Sequence, residues 1–335
     1  MRFILSFLLV LFLSSACFSA EILFVLTNDQ IYKSSDGGNS WKGIYVDSAD
    51  YVHYSDICFD RSAKTIYASV SFGIIKSVDG GKHWSKLYPS GESCNFNRVS
   101  VSLDGASVVY ALSDNAFYRS GNGGKNWKTM TLPSTQLFFL APFYKFGRIY
   151  VAGGGALYAS GDGGMNWKRM GRDVFEGEVI CDVAVNPSNP LQLYVAASNG
   201  LFYSGDGGKS WKNRTISPKD WIQTQKIVWS GDNPKCLYAV DADVKENGNA
   251  YLRRSVDGGL NWSVIAAKDE ILLMAVDPLK YSTVFFTYLS TLDASGIESS
   301  LSTIARSGDA GRTWKSMKAV MPGYSSAKIL SVVPW

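Results

Sequence analysis

A motif whose aspartate could bind a metal ion, Ser-x-Asp-x-Gly-x-x-Trp, recurs seven times along this chain. Asp-x-Gly steps also occur in calcium loops, where several oxygen donors at alternating positions surround the ion. Each copy here supplies one carboxylate, and the third has an asparagine instead, which keeps the acceptor without the charge. The motif therefore predicts a structural, hydrogen-bonded turn and no metal site. Its members are Ser34, Asp36, Gly38, Trp41, Ser77, Asp79, Gly81, Trp84, Ser120, Asn122, Gly124, Trp127, Ser160, Asp162, Gly164, Trp167, Ser204, Asp206, Gly208, Trp211, Ser255, Asp257, Gly259, Trp262, Ser307, Asp309, Gly311 and Trp314.

Carboxylates outside the motif could hydrolyse a glycosidic bond, because a glycosidase needs only two acids on opposite sides of a cleft. In a ring of blades, such acids would lie in the links on the face opposite the seven motifs. We interpret each of them first as a solvated loop charge and keep catalysis by two of them as the alternative. The candidates are Asp47, Asp50, Asp173, Glu176, Glu178, Asp220, Asp243, Glu246, Asp293 and Glu298.

The sequence argues against histidine-dependent catalysis, because the chain has two histidines, His53 and His83. His83 stands directly before a motif Trp, where other copies have Ser, Asn or Thr, so we expect it to pack in a turn. No G-x-S-x-G sequence marks a nucleophile elbow, and the glycines at 153–155 link two strands rather than opening a phosphate-binding helix. We therefore assign no catalytic residue and expect no cofactor.

Basic residues flank the motif. A lysine follows the Trp in five copies, and a lysine or arginine precedes the Ser in five. Two interpretations are open: protection of exposed outer strands against edge pairing, and a basic ring that holds an acidic partner. The links at 241–250 and 287–303 are enlarged, and long links on a rigid scaffold often bind partners. We expect a partner surface on this side of the ring, formed by Arg253, Arg254, Trp221 and Trp229.

The motif spacing of 40 to 52 residues is typical of a radial array of blades. Each unit has four short runs of strand-forming residues. The first unit begins at Ile22, already in its second strand, whereas the C-terminal segment Lys328–Trp335 resembles a first strand. The sequence therefore predicts an all-β protein, a seven-bladed β-propeller of four-stranded antiparallel blades over residues 21–335. Its ring is closed by the C-terminal strand joining the N-terminal blade.

The N-terminus has one basic residue, an apolar run over residues 3–13 and then small residues. This order is typical of a secretory signal peptide, and the run is too short to span a bilayer as a helix. We expect residues 1–20 to form the signal peptide; lipidation of Cys17 and ordinary cleavage are both open. The protein is then exported, and is periplasmic, membrane-anchored through Cys17 or secreted.

Export leaves four cysteines, Cys58, Cys94, Cys181 and Cys236, which allow three disulfide pairings that sequence alone does not distinguish. Buried free thiols are an equal alternative, and the cysteine spacing suits no zinc site. The net charge of +4 is too small to argue for a nucleic-acid partner. We expect a monomer, with the lipid at Cys17 as its only link to a membrane.

The seven motifs resemble the Asp-box repeat of bacterial neuraminidases over essentially the whole mature chain. Similar repeats occur in sialidases, xyloglucan-cleaving glycosidases, sortilin-type receptors and photosystem II assembly factors. The chain lacks the Arg-Ile-Pro motif of sialidases, and xyloglucanase-like enzymes use two facing propellers. Its layout is most similar to the photosystem II stability and assembly-factor group, which implies an exported, non-enzymatic propeller that binds a protein client, or a glycan, on the face opposite the motifs. A glycoside hydrolase with two loop carboxylates is the alternative.

Overall fold

Seven four-stranded antiparallel sheets form the chain. The computed structural model describes residues 22–26, 30–45, 54–60, 64–87, 96–101, 107–113, 116–131, 137–143, 147–153, 155–216, 222–243, 249–268, 271–277, 280–289, 302–317 and 329–333. The first three blades contain β1 (Ile22–Leu26), β2 (Ile31–Ser34), β3 (Lys42–Tyr45) and the C-terminal β28 (Ile329–Val333); β4 (Tyr54–Phe59), β5 (Ile66–Val70), β6 (Gly73–Ser77) and β7 (Ser85–Lys86); β8 (Phe96–Val101), β9 (Val109–Ser113), β10 (Phe117–Ser120) and β11 (Lys128–Met130).

The remaining four blades follow the chain in the same way. One short helix, α1 (Arg172–Phe175), stands between blades 4 and 5. Among the helices that the structure describes, none is long and apolar enough to cross a membrane. The strands are β12 (Leu137–Phe143), β13 (Arg148–Gly153), β14 (Ala156–Ser160) and β15 (Lys168–Met170); β16 (Ile180–Asn186), β17 (Asn189–Ala197), β18 (Gly200–Ser204) and β19 (Lys212–Asn213); β20 (Ile222–Trp229), β21 (Leu237–Asp243), β22 (Ala250–Ser255) and β23 (Ser263–Lys268); β24 (Ile271–Val276), β25 (Val284–Leu289), β26 (Ser302–Ser307) and β27 (Lys315–Met317).

The C-terminal strand closes the ring. In blade 1 the strand order is β28-β1-β2-β3, and the register of β28 on β1 pairs Phe24 with Ser331. Beyond this sheet, β28 lies next to β24 of blade 7 and β4 of blade 2. The predicted seven-bladed propeller and its closure are therefore confirmed.

The two ends of the blades differ in what they carry. The turn between the first and second strands of a blade lies at the same end of the blade as the motif turn. Two hydrogen bonds show this: Gly207 N–H donates to Leu191 O at 2.7 Å, and Gly258 N–H donates to Lys235 O at 2.8 Å. We call each motif turn a repeat turn and this end of the ring the turn face. The links between blades and the second-to-third hairpins lie at the opposite end, the linker face.

Apolar side chains fill the interfaces between neighbouring blades. A buried cluster lies at each interface, from blades 1 and 2 round to blades 7 and 1. The aromatic residue in the middle of each second strand belongs to these clusters; Tyr238, for example, is fully buried and its hydroxyl donates to Tyr281 O in the next blade at 2.6 Å. Burial of these large aromatic side chains between blades contributes to the stability of the ring.

Two predicted links are shorter than the sequence suggested. The hairpin of blade 6 stays paired to Ala242 and Ala250, and that of blade 7 to Leu289 and Ser302. The strands therefore continue into segments that the sequence analysis assigned to links.

Candidate functional site

Each repeat turn is held by its own side chains. In blade 5 the Gly208 N–H donates to Ser204 Oγ at 2.7 Å, and the Ser204 hydroxyl donates to Asp206 Oδ1 at 2.8 Å. Asp206 Oδ1 also accepts the Ser210 N–H at 3.0 Å, while its Oδ2 accepts the Ser210 hydroxyl at 2.6 Å. The Ser-to-acceptor and Gly-to-Ser bonds recur in all seven turns. The acceptor oxygens are thus occupied within the turn.

Two turns with unusual residues keep this geometry. Asn122 Oδ1 accepts the Ser120 hydroxyl at 3.0 Å and the Asn126 N–H at 2.9 Å. In blade 2, His83 Nδ1 lies 2.5 Å from Asp79 Oδ2, where other turns use a hydroxyl or an amide. Over the described ranges, no group of three or more His, Cys, Asp or Glu side chains is placed to hold a metal ion.

Acid is expected to weaken the repeat turns. The pKa of Asp257 is lowered from 3.8 to about 2, chiefly by the N–H and side chain of Asn261. A carboxylate with a lowered folded-state pKa stabilises the fold above its unfolded pKa, and this stability is lost as the pH falls through the folded pKa. Asp257→Asn therefore lowers the urea midpoint at pH 7, and its difference from the wild type should vanish as the pH falls from about 4 to 2.

Blade 3 indicates that this substitution keeps the geometry, since Asn122 and Asn126 already form the same pair of residue types. Glu176→Gln serves as the control, because Glu176 is 65% exposed. A difference between Asp257→Asn and the wild type that stays constant from pH 7 to pH 2 would contradict the prediction.

The basic residues that precede the repeat-turn Ser connect neighbouring blades. Lys33 Nζ donates to Gly80 O at 2.9 Å, and Arg254 Nη1 donates to Ala310 O at 2.6 Å, in each case in the repeat turn of the next blade. Lys76 makes the same contact with Gly123 O at 2.9 Å. For Lys33, Lys76 and Arg254, neither of the two interpretations drawn from the sequence applies, because each charged group donates to the repeat turn of the next blade. The lysines that follow the Trp lie exposed on the outer strands.

Blade 5 has Tyr203 instead of a base before its Ser, and the contact comes from a different residue there. The Tyr194 hydroxyl donates to Gly258 O at 2.7 Å. Burial raises the pKa of Tyr194 to about 12, so this hydroxyl stays a donor. The following Gly259 has φ 85°, and a Cβ at that position would collide with the Tyr194 hydroxyl. This glycine is therefore required by both conformation and space.

The predicted partner surface is not one exposed patch. Trp229 is 8% exposed between blades 5 and 6, and its Nε1–H donates to Pro234 O at 2.8 Å near the turn face. Arg254 is engaged with the next blade as described above, and its Nε is buried. Trp221 lies outside the described residues. Trp229 and Arg254 are thus engaged in contacts within the ring.

Arg253 lies inside the ring, in an ion pair. Its Nε donates to Asp241 Oδ2 at 2.6 Å, and Asp241 Oδ1 accepts the Thr224 hydroxyl at 2.9 Å. The side chain of Asp241 is 1% exposed and that of Arg253 15% exposed. Burial raises the pKa of Asp241, while the Thr224 hydrogen bond and the Arg253 charge act in the opposite direction. Arg253 therefore neutralises a buried acid, which explains a base at an otherwise apolar strand position.

The loop acids that the structure describes come mostly from one link. Asp173, Glu176 and Glu178 all lie between β15 and β16, and Glu178 Oε2 accepts the Ser198 hydroxyl at 2.5 Å. Asp243 ends β21 in blade 6. Three acids on one link do not face one another across a cleft, as a glycosidase pair must. The other candidates, Asp47, Asp50, Asp220, Glu246, Asp293 and Glu298, lie outside the described residues, as does His53.

The cysteines that the structure describes are free thiols. Cys58 lies on β4, Cys181 on β16, and Cys236 is buried beside β21. Burial raises the pKa of all three, so they are poor nucleophiles. Cys94 and Cys17 fall outside the described residues.

Charged residues in the innermost strands are a feature that the sequence analysis missed. Six of these strands have a register shift near their linker-face end. The residue after the shift is charged in four of the six and is Phe139 or Leu273 in the other two. The four charged residues, which we call the channel mouth, are Asp56, Arg98, Asp182 and Lys226.

The same kind of hydrogen bond forms the channel mouth between blades 2 and 3 and between blades 5 and 6. In blades 2 and 3, Asp56 Oδ2 accepts the N–H of Val99, the residue after Arg98, at 3.1 Å. In blades 5 and 6, Asp182 Oδ2 accepts the N–H of Ile227, the residue after Lys226, at 2.9 Å. Each aspartate thus joins its first strand to that of the next blade. The basic residue that precedes each N–H donor, Arg98 or Lys226, belongs to the same strand and to the channel mouth.

Burial raises the pKa of Asp56, while the charges of Arg98 and, less strongly, Lys226 act against that rise. Lys226 belongs to blade 6 and Asp56 to blade 2, so the lysine acts across the channel. Lys226 Nζ also lies 3.4 Å from Asp182 Oδ2, and its side chain is 50% exposed, against 4% for Asp182. Of these four residues, Asp56 and Asp182 accept hydrogen bonds from backbone N–H groups, and Lys226 is exposed to solvent.

No family model and no curated protein sequence matches the chain. Solved structures do. A GH74 enzyme from Niastella koreensis aligns with a TM-score of 0.64 and 18% identity, over 78% of this chain and 45% of that protein. YCF48 bound to D1 peptide aligns with a TM-score of 0.57 and 18% identity, over 80% of this chain and 82% of YCF48.

Both kinds of protein share this fold. YCF48 from Cyanidioschyzon merolae aligns in the same way, with a TM-score of 0.56 and 16% identity, over 82% of this chain and 86% of YCF48. The predicted resemblance to assembly-factor and xyloglucanase propellers is therefore confirmed at the level of fold. The chain spans about 45% of the length of the GH74 enzymes, so their activity does not transfer with the fold.

Proposed function

We propose that the chain is an exported, non-enzymatic propeller that binds a protein client on its linker face. The observation that carries this proposal is the channel mouth, where Asp56, Arg98, Asp182 and Lys226 place charge in a ring of first strands that is otherwise largely apolar. On the turn face, the Ser and Asp side chains of the motif are bonded within the turns, and the bases Lys33, Lys76 and Arg254 are bonded to the next blade. The fold likeness to YCF48 bound to D1 peptide supports a protein client rather than a glycan.

Val179 is the best position for a test. Its side chain is 62% exposed on the linker face, three residues before Asp182, while its N–H donates to Ser198 Oγ at 3.0 Å. Val256 is a matched control, 58% exposed in a repeat turn on the other face. Because both side chains are exposed, an aspartate at either position should leave the fold intact.

The client is identified by capture on the purified wild-type protein from a cell-envelope extract of the source, and its affinity is then measured with pure components. We expect Val179→Asp to weaken binding at least about tenfold, which corresponds to about 1.4 kcal/mol, and Val256→Asp to bind like the wild type. The reverse pattern, or equal binding by both variants, would overturn the placement on the linker face.

The likeness to GH74 enzymes gives the hydrolase alternative a specific test. Xyloglucan and other polysaccharides are incubated with the wild type and with Glu178→Gln, which removes a described acid of the linker face. We expect no turnover by either protein. Turnover by the wild type that Glu178→Gln abolishes would replace the binding proposal with a glycosidase.

A further inference from the structure

We propose that the turn face docks onto a membrane surface of anionic phospholipids through the tips of its repeat turns. We call the residue three positions after the motif Asp or Asn the tip residue of its turn. This inference goes beyond the proposed function, because it concerns the face opposite the client. The tip residues of blades 1 to 7 are Asn39, Lys82, Lys125, Met165, Lys209, Leu260 and Arg312.

The repeat turn fixes the backbone of its tip residue and leaves the side chain in solvent. The Lys82 N–H donates to Asp79 Oδ1 at 2.9 Å, and the Leu260 N–H donates to Asp257 Oδ1 at 3.0 Å. The same bond is formed by three further tip residues, Met165, Lys209 and Arg312. All seven tip residues are exposed. Their side chains therefore project from one face of the ring.

The charged tip residues are all basic: four of the seven are Lys or Arg, and none is an acid. Among the residues that the structure describes, none of these four bases forms a salt bridge. The motif aspartates lie on the same face, but their oxygens accept hydrogen bonds within the turns. Lys33, Lys76 and Arg254 also bring positive charge to these turns from the neighbouring blades. The cationic groups of the tips therefore remain available to an anion.

Two tip lysines lie close to a second base. The pKa of Lys33 is lowered by burial and by the charge of Lys82, and the pKa of Lys76 is lowered by burial and by the charge of Lys125. An anion that approaches such a pair is attracted by both charges. Phospholipid headgroups present phosphates at high density, and each Lys or Arg near an anionic bilayer adds to the attraction.

Large apolar side chains are exposed on the same face. Met165 and Leu260 are each 61% exposed at tip positions. Apolar side chains between bases are typical of a surface that lies on a membrane, where the bases meet headgroups and the apolar groups enter the layer below. Of the eight large apolar side chains that are exposed among the described residues, six lie on the turn face: Val78, Met165, Leu191, Val256, Leu260 and Tyr281.

Hydrogen bonds between neighbouring repeat turns hold the tips in place. Arg148 Nη2 donates to Gly207 O at 3.3 Å between blades 4 and 5, and the Tyr194 hydroxyl makes the equivalent contact between blades 5 and 6. A face that is already ordered loses little entropy on docking. Because the tips are distributed around the whole ring, a bilayer meets those of several blades at once, whereas a peptide segment reaches neighbouring tips only.

The chain also enters the ring at this face. Leu23, at the start of β1, pairs with Ser34, the first residue of the motif in blade 1. Cys17 precedes Ile22 by five residues, a span of at most about 18 Å. A lipid at Cys17, one of the two alternatives for the N-terminus, would therefore hold the turn face against the membrane. The linker face then points away from the bilayer, toward a client.

The test measures cosedimentation with lipid vesicles, using a protein of residues 21–335, which contains every strand of the ring and carries no lipid. Vesicles of phosphatidylcholine alone are compared with vesicles that also contain phosphatidylglycerol. We expect binding to the anionic vesicles that falls as salt is added, and binding to the neutral vesicles that is at least about tenfold weaker. Equal binding to both kinds of vesicle, or binding to neither, would overturn the proposal.

Charge variants locate the binding face. Lys82→Glu combined with Lys209→Glu should weaken binding to the anionic vesicles at least about tenfold. Arg172→Glu combined with Lys268→Glu is the matched control, because both residues are exposed at the linker-face end of the blades and the net charge changes equally. An equal loss of binding in the two double variants would show that net charge and not the turn face governs binding, against the proposal.

Apolar variants distinguish a membrane from an acidic protein. Met165→Ser combined with Leu260→Ser should weaken vesicle binding about tenfold, because these side chains enter the lipid layer. The melting temperature should stay unchanged, since both side chains are exposed. Immobilised poly-glutamate serves as an acidic surface without lipid. Unchanged vesicle binding by this variant, or wild-type binding to poly-glutamate without binding to vesicles, would overturn the proposal, and the second result would indicate an acidic protein partner instead.

Discussion

Replacing Asp241 with leucine is expected to lower the free energy of unfolding by about 3 kcal/mol, at the lower end of the cost of breaking a buried ion pair. The substitution leaves the Arg253 guanidinium, 15% exposed, without the carboxylate 2.6 Å from its Nε. It also removes the acceptor of the Thr224 hydroxyl. Urea unfolding followed by tryptophan fluorescence measures the change.

A double variant distinguishes the cost of the unpaired Arg253 charge from the cost of altered packing at Asp241. Asp241→Leu combined with Arg253→Met should recover most of the lost stability, because a buried pair replaced by apolar groups of similar size is often neutral. Glu176→Gln breaks an exposed pair, in which Glu176 Oε1 lies 3.7 Å from Arg169 Nη1, and should cost less than about 1 kcal/mol. A double variant as unstable as Asp241→Leu alone would show that the loss comes from packing at Asp241 and not from the unpaired charge.

Removing residues 329–335 is expected to open the ring and to lower the melting temperature by more than about 10 °C, since several kcal/mol of burial and pairing are lost. The deletion takes away the innermost strand of blade 1. It exposes the inner edge of β1 (Ile22–Leu26), whose side chains are at most 9% exposed in the closed ring. An exposed apolar edge of this kind also promotes association between molecules.

Addition in trans provides the control for this deletion. A peptide of residues 321–335 should restore the melting temperature in a concentration-dependent way, because it binds the folded ring. A peptide with proline at both Leu330 and Ser331 should not, since one of two adjacent N–H groups in a strand faces its partner and proline has none. A truncated protein that melts like the full-length chain would contradict the role of β28 as the closing strand.

The repeat explains why so much of the fold could be predicted. Seven copies of one turn motif, a missing first strand before Ile22 and a matching strand at the C-terminus are all visible as local pattern. Local pattern is sufficient because each blade is a chain-adjacent meander, in which neighbours in sequence are neighbours in the sheet. The strand bounds were less accurate in blades 6 and 7, where pairing extends to Asp243 and Leu289.

The candidate site was much less predictable. The sequence predicts Arg253 as a partner contact, whereas the structure pairs its guanidinium with Asp241 on the neighbouring strand. Arg254 and Trp229 belong to contacts within the ring. The charges of the channel mouth had a visible signal, a single charged residue in each of four first strands. That signal could not be interpreted without the register shifts, because one extra residue reverses the face to which a strand side chain points.

The number of blades, the structure of each turn and the closure of the ring could be predicted from the sequence, because these depend on short-range hydrogen bonds and on alternation along single strands. Which charged groups meet, in contrast, depends on how the blades pack against one another. Lys33 and Gly80, Asp56 and Val99, and Asp182 and Ile227 lie in neighbouring blades, about one repeat apart in the chain. Their pairing depends on the angle between blades and on the register of each first strand, and neither leaves a mark in local sequence. The hydrogen bonds that connect the repeat turns on one face of the ring, and the charged channel mouth on the other, follow from that packing.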